Sequence, residues 1–300
     1  PDALHYLGLI RRRRGFLDEG IALLERARAA APDAGPIAFN LGNALRAAGR
    51  LDEALACYGR AAAIDPADGR ARNNMAMVLM ETGQFEKAEE AAAAAVTADP
   101  RSPKAHNNLG NARYHRGRFA EADAAYAAAL ELKPDYAKAL SNRSHTRREL
   151  KDLDAAEELA RRAVLTDPDY PKAHNALACV LLEREDIDGA AAAARKALTL
   201  QPRYPEGLVT LSNVLRRDGQ FEEAERAARD ALALAPGMTD ARIVLGLALR
   251  DTEDFDGAAA AFRAALAERP DSPDAKIGLA MTLNNLGRRD EAEPLLFYEG

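Results

Sequence analysis

The thirty-four residues PKAHNNLGNARYHRGRFAEADAAYAAALELKPDY, 103–136, decide the fold. Setting them beneath their neighbours aligns one proline in each: Pro32, Pro66, Pro100, Pro134, Pro168, Pro202, Pro236 and Pro270 fall 34 residues apart without a slip. A fixed period of this length is the mark of stacked supersecondary units. Counting each of these prolines as position 32 divides the chain into eight full repeats, 1–34, 35–68, 69–102, 103–136, 137–170, 171–204, 205–238 and 239–272, and a partial ninth, 273–300.

The other positions then form columns. Position 8 holds only Gly, Ala or Ser, from Gly8 to Ala280, and position 20 is alanine in every repeat after Gly20. Position 27 is alanine in all eight full repeats, so small residues at fixed points let two helices approach closely. Position 15 is Gly15, Gly49, Gly83, Gly117, Gly219 and Gly287 in six of nine repeats, the place of a left-handed residue that ends a first helix. Position 18 is acidic in eight of nine repeats, which favours the start of a second helix by capping and dipole. The proline at 32 stops that helix, and Pro1, Pro103, Pro171, Pro205 and Pro273 pre-set the next. Large apolar residues at positions 7 and 17, such as Leu41 with Leu51 and Met75 with Phe85, fill the space between. One such pair cannot bury its own apolar face, so neighbours must stack.

This pattern resembles the tetratricopeptide repeat, and the resemblance covers essentially the whole chain. Departures are the lack of Trp at position 4, the lack of the usual Tyr at position 11, and Arg143 at the usually aliphatic position 7. The resemblance implies an all-α, right-handed superhelical solenoid, with first helices lining a concave groove and second helices outside. It also implies a protein-interaction scaffold.

At about 100° per residue, positions 4, 7, 8 and 11 share the core side of the first helix, and positions 2, 6, 9 and 13 share the groove side. Asn40, Asn74, Asn108 and Asn142 all stand at position 6, and Asn43, Asn111 and Asn213 at position 9. Asparagine is a poor helix former, and its carboxamide carries both donor and acceptor, as recognition of an extended peptide backbone requires. A similar ladder in the tetratricopeptide region of O-linked N-acetylglucosamine transferase implies a bidentate grip on substrate peptide. The alternative is a brace that sets the angle between repeats, and Asn107, at position 5, is placed for that. Position 2 adds Arg70, Lys104, Lys138 and Lys172, then reverses to Glu206, Asp240 and Asp274, so the groove is expected to be basic and then acidic. The sets Asn43, Asn74, Lys104 and Asn111, Asn142, Lys172 resemble part of the carboxylate clamp of chaperone-binding relatives. Two further basic residues of that clamp are missing. The bland reading is a row of solvated lysines partly neutralised by Glu81, Glu149 and Glu183.

Composition narrows the classes. A net charge of −6 disfavours a globally basic nucleic-acid binder, and no apolar run approaches the roughly 20 residues of a membrane span. The run Arg11–Arg14 sits where cations favour a helix C-terminus. Cys57 and Cys179 have no metal spacing, cannot pair across four repeats, and agree with a reducing, cytoplasmic setting. His115 and His145 lack the companions of a zinc site, and His106 and His174 occupy the packing position 4. No catalytic set, cofactor motif or space for a catalytic domain is expected within these residues. The abundance of Ala, and of Arg over Lys, resembles the output of a GC-rich bacterial genome. Pro1 and the apolar Leu295–Tyr298 suggest that the chain continues at both ends, or that the tail folds back over the last repeat. Two further functions follow as alternatives. One is the substrate-recruiting part of a glycosyltransferase- or sulfotransferase-type enzyme, which reading the gene past Gly300 tests; the other is self-association through the repeat ends, which sedimentation tests.

Overall fold

The computed structural model describes residues 1–296, and among them every regular element is a helix. The chain divides into two compact units, Pro1–Lys151 and the part from Asp152 onward. The first contains α1 (Asp2–Arg13), α2 (Leu17–Ala30), α3 (Gly35–Ala47), α4 (Leu51–Ile64), α5 (Gly69–Glu81), α6 (Phe85–Ala98), α7 (Pro103–His115), α8 (Phe119–Leu132) and α9 (Ala137–Glu149). The second contains α10 (Leu153–Thr166), α11 (Pro171–Glu183), α12 (Ile187–Leu200), α13 (Pro205–Arg217), α14 (Phe221–Leu234), α15 (Thr239–Asp251), α16 (Phe255–Glu268), α17 (Pro273–Asn285) and α18 (Arg289–Leu296). Within each unit, each helix packs on the next in sequence, and most first helices also touch the first helix of the following repeat. This is the α-solenoid of 34-residue helix pairs expected from the spacing.

The turn inside each repeat follows one rule. Gly15 has φ +87°, its N–H donates to Arg12 O at 3.1 Å, and Phe16 N–H donates to Arg11 O at 3.0 Å. These are the two bonds of a Schellman closure. Lys151, Glu185 and Glu253, which replace the glycine, keep the same left-handed backbone at φ 63°. The second helices start at position 17, so the acid at position 18 lies in the first turn instead of capping it. Capping falls to position 16 where that residue is Asp: Asp186 accepts from Gly189 N–H at 3.0 Å and Asp254 from Gly257 N–H at 2.9 Å.

Packing between paired helices is set by a volume exchange. A Cβ on Gly42 would stand 2.7 Å from the Tyr58 ring, one on Gly110 2.6 Å from Tyr126, and one on Gly246 2.8 Å from Phe262. Where position 24 is instead Ala92, Ala194 or Ala228, position 8 is Ala76, Ala178 or Ser212. Core density is preserved by placing the large residue on one helix and nothing on the other. The departure at Arg143 has an equally local cause. Its guanidinium reaches Asp123 with Nε to Oδ1 at 2.8 Å, and Arg147 joins the same carboxylate at 2.6 Å. A second buried carboxylate, Glu89, receives Arg113 at 3.1 Å, Arg116 at 2.5 Å and Arg118 at 2.7 Å. In the last repeat Pro294 lies within α18 and Leu295 packs on the core that includes Phe262 and Leu283. The proposed fold-back of Phe297 and Tyr298 lies outside the described residues.

Candidate functional site

The asparagines of the first unit form a hydrogen-bonded chain from repeat to repeat. Asn40 Nδ2 lies 2.9 Å from His5 Nε2, and Asn74 Nδ2 donates to Asn43 Oδ1 at 2.8 Å. Asn108 donates to Asn73 Oδ1 at 2.9 Å, and Asn142 donates to both Asn107 Oδ1 at 3.1 Å and Asn111 Oδ1 at 2.9 Å. Every position-6 asparagine of this unit therefore ties its helix to the preceding one. Two tyrosines anchor the chain to the core: Tyr58 donates to Asn43 Oδ1 at 2.9 Å and Tyr126 to Asn111 Oδ1 at 2.7 Å. Each tyrosine occupies the space opened by the glycine preceding its asparagine, Gly42 or Gly110. Burial pushes both phenols up, Tyr126 well above the usual range, so they remain donors.

The ladder consequently has two layers. Asn107 is 4% exposed and belongs to the brace, whereas Asn40, Asn43, Asn74, Asn108, Asn111 and Asn142 are half-buried. A carboxamide has two N–H groups and an oxygen with two lone pairs. Asn40, Asn74 and Asn108 brace their helices through the amide group, and among the described residues no hydrogen bond engages the Oδ1 of a position-6 asparagine. Asn43 and Asn111 are the reverse: their oxygens each take two bonds, and among the described residues their amide groups are left as donors.

The basic row is less uniform than its spacing implies. Arg70 is clasped by Asp68, with Nη2 to Oδ2 at 2.6 Å, and stacks over Phe39 at 5.3 Å. Lys104 and Lys138 are exposed and have no carboxylate partner among the described residues; Lys172, in the second unit, is exposed in the same way. Two of the position-13 acids are engaged by arginines: Glu81 is held by Arg46, and Glu149 by Arg148 at 2.8 Å. His115 stacks on Phe85 with ring centroids 4.9 Å apart, and burial holds its pKa below the usual value.

His106 and His174 do more than pack. Each reaches the position-32 proline carbonyl of the preceding repeat, His106 to Pro100 O at 2.9 Å and His174 to Pro168 O at 2.8 Å. Residues overlooked in the sequence are His5, Asn73, Tyr58 and Tyr126. The pairing of a glycine at position 8 with a tyrosine at position 24 was the available signal for the last two. Both cysteines are free, and no group of three or more His, Cys, Asp or Glu among the described residues is arranged to hold a metal ion. No described helix is long and apolar enough to cross a membrane.

Family models described as tetratricopeptide repeat match residues 73–137, 142–205, 209–273 and 243–299, and one described as TPR repeat matches 42–83. The chain belongs to the tetratricopeptide repeat family. Its fold is that of protein-interaction scaffolds. Among solved structures, the chain resembles one from the APC/C hetero-tetramer Cut9–Hcn1, with a TM-score of 0.69 and 15% identity over 89% of this chain and 52% of that one. It thus spans about half that neighbour's length. A tetratricopeptide repeat protein from Parabacteroides merdae gives a TM-score of 0.65 at 15% identity, over 83% of this chain and 99% of the other. A thermophilic TPR protein from Thermus thermophilus gives 0.56 at 23% identity, over 61% and 100%. At these identities the likeness concerns the fold. No curated protein matches the chain.

Proposed function

We propose that the first-helix face of the first unit is the groove in which this TPR protein holds an extended, acidic segment of a partner protein. The observation that carries this reading is the two-layered ladder. Each position-6 asparagine is fixed in orientation by a bond to its neighbour while its oxygen remains an acceptor, repeated once per repeat. Fixed carboxamides lose little entropy on binding, and they address the peptide backbone independently of its side chains. Lys104 and Lys138 then select for acidic side chains. Arg70 contributes its charge less freely because Asp68 holds it.

The test must separate binding from bracing, because replacing Asn74, Asn108 or Asn142 also removes bonds between repeats. The double variant Lys104→Glu, Lys138→Glu leaves every brace in place. Its expected result is a loss of acidic-peptide affinity of roughly tenfold or more, about 1.4 kcal/mol, with an unchanged melting temperature. The wild-type affinity is also expected to fall as salt rises. Unchanged affinity in the double variant would remove the proposal. Asn40→Ala and Asn108→Ala, measured against their own unfolding curves, then report on the carboxamides.

A further inference from the structure

In the first unit, α4, α5 and α6 line an open cavity of about 590 Å³ whose lining includes none of the asparagines. This lies within the 300–1,000 Å³ range of small-molecule sites, which are mostly apolar with a few placed polar groups. Its large apolar lining residues are Leu55, Met75 and Leu79, and its small ones include Gly59, Ala62 and Ala91. Arg72, Lys87 and Glu90 are its charged groups.

Two independent features point to an occupant. The first is Gly59. It stands inside α4, where glycine is the poorest choice short of proline. Unlike Gly42 or Gly110, it makes room for nothing in the protein, since a Cβ there would meet no atom within 4 Å. The corresponding position carries Glu25, Ala93 and Ala127 in the other repeats of this unit and Arg161, Arg195, Arg229 and Arg263 in the second, where long stems would cover such a space. The second feature is charge. Most arginines of this chain sit against carboxylates, yet neither Arg72 nor Lys87 has a carboxylate partner among the described residues. Arg72 is held by Pro66 O at 2.6 Å and Lys87 by Gln84 Oε1 at 3.0 Å. Two unpaired cations and one acid leave the mouth with a net positive charge. Guanidinium retains further donors suited to a carboxylate.

We propose that this cavity binds a small amphiphilic anion, an aliphatic carboxylate whose chain lies on Leu55, Met75 and Leu79 against the open face of Gly59 and whose charged end meets Arg72 or Lys87. It is a second site, separate from the peptide groove and independent of that reading. The soft thioether of Met75 suits an apolar chain of variable shape.

Titration of the full chain with decanoate, and with decan-1-ol as the uncharged control, tests this by calorimetry. Saturable one-to-one binding of decanoate is expected, with decan-1-ol at least tenfold weaker. Gly59→Leu fills the cavity and is expected to abolish decanoate binding. Because it also improves the helix, its melting temperature should hold or rise, so loss of binding is not loss of fold. Arg72→Gln, which retains a donor for Pro66 O, and Lys87→Gln together should weaken decanoate severalfold without affecting decan-1-ol. No saturable decanoate binding, equal affinity for the alcohol, or binding that survives Gly59→Leu overturns the proposal. Uptake of an acidic amphipathic peptide in place of decanoate also overturns it, by assigning the cavity to a protein partner.

Discussion

The two units build one helix-pair scaffold with opposite materials at the joints between repeats. In the first, positions 5, 6 and 9 carry eight asparagines over repeats 2–5, and Glu89 and Asp123 gather five arginines between them. In the second, the same positions turn apolar: Val209, Ile243 and Ile277 at 5, and Val244 at 6. The carboxamide run enters this unit as Asn175 and Asn213, and the Oδ1 of Asn175 is buried without a partner among the described residues. Apolar joints evidently suffice to stack these repeats, so stacking alone does not account for the polar ones. The polar joint brings directionality, a fixed array of donors and acceptors, which is what a peptide groove requires.

The sharpest way to separate the units is acid. Burial alone would raise Glu89, but hydrogen bonds from Arg113 and Arg116 and the charge of Arg118 hold it below its ordinary 4.5. Asp123 is likewise kept below 3.8 against its burial by Arg143 and Arg147. A carboxylate with a lowered folded pKa stabilises above its unfolded value and ceases to do so as pH falls through the folded one. Burial also lowers His5 below 6.5, so the unfolded chain takes up that proton first and stability declines once pH drops under 6.5. All three act in the same direction within the first unit. In the second, the described carboxylate with a lowered pKa is Glu291, at the surface, where pairing contributes little. Hydrogen exchange at decreasing pH should therefore show residues before Lys151 opening first, beginning with α1 and α7, which carry His5 and His115. Simultaneous loss of both units would break the comparison.

The next largest effect is expected from Asn142→Ala. It removes the donor for Asn107 Oδ1 and one of the two for Asn111 Oδ1, and Asn107 is too buried to turn to solvent. An orphaned buried acceptor costs about 1–3 kcal/mol, so a loss of about 2 kcal/mol is expected by urea unfolding. Val244→Ala, at the equivalent position of the second unit, should cost about 1–2 kcal/mol through lost apolar contact instead. A loss under about 0.5 kcal/mol for Asn142→Ala would show that the ladder does not brace the stack.

These contrasts separate what local chemistry announces from what only packing reveals. The position-32 prolines and position-15 glycines act on their own backbone, so their meaning is readable at once. Gly42 with Tyr58 and Gly110 with Tyr126 were also readable, as a volume exchange between columns. The asparagines were readable in position but not in partner, since the choice between Asn43 and Asn73 as acceptor depends on where the neighbouring rotamers put their oxygens. Lys104 and Arg70 share a column yet differ, because Asp68 caps α5 and holds Arg70, whereas Ser102 caps α7 and cannot hold Lys104. Arg143 looked like a packing fault until Asp123 was placed beside it.

A gain of stability sharpens the comparison from the other side. At Asn175 the ladder stops because position 6 of the next repeat is Thr210, whose hydroxyl donates to Glu206 O at 3.1 Å and lies 3.5 Å from Cys179 Sγ. Thr210→Asn would present to Asn175 Oδ1 the same amide that Asn142 presents to Asn107. Satisfying that oxygen, less the threonine bond given up, should raise stability by about 1 kcal/mol, measured by thermal or urea unfolding. A fall would mean that the carboxamide joint depends on its all-asparagine surroundings and cannot be extended one repeat at a time.

The smallest effect tests how the repeats without a position-15 glycine manage their turns. Glycine is absent from position 15 at Lys151, Glu185 and Glu253, and in each of these repeats position 16 is Asp: Asp152, Asp186 and Asp254. The six repeats that keep the glycine have Phe16, Arg50, Gln84, Arg118, Gln220 or Arg288 there instead. A left-handed non-glycine residue costs about 1–2 kcal/mol, and an Asp cap contributes about 1 kcal/mol, so the cap offsets most of the strain. Glu253 is the clean test because it has no ion pair among the described residues, whereas Glu185 meets Arg217 at 3.2 Å. Glu253→Gly relieves the strain but frees the unfolded chain, so a net gain of about 0.5 kcal/mol is expected. Asp254→Ala should cost about 1 kcal/mol alone and the same in the Glu253→Gly background, because cap and turn act on separate dihedrals and add. If the cap becomes worthless once glycine is present, the two residues act as one motif, and the offset is a coupled exchange in place of two independent terms.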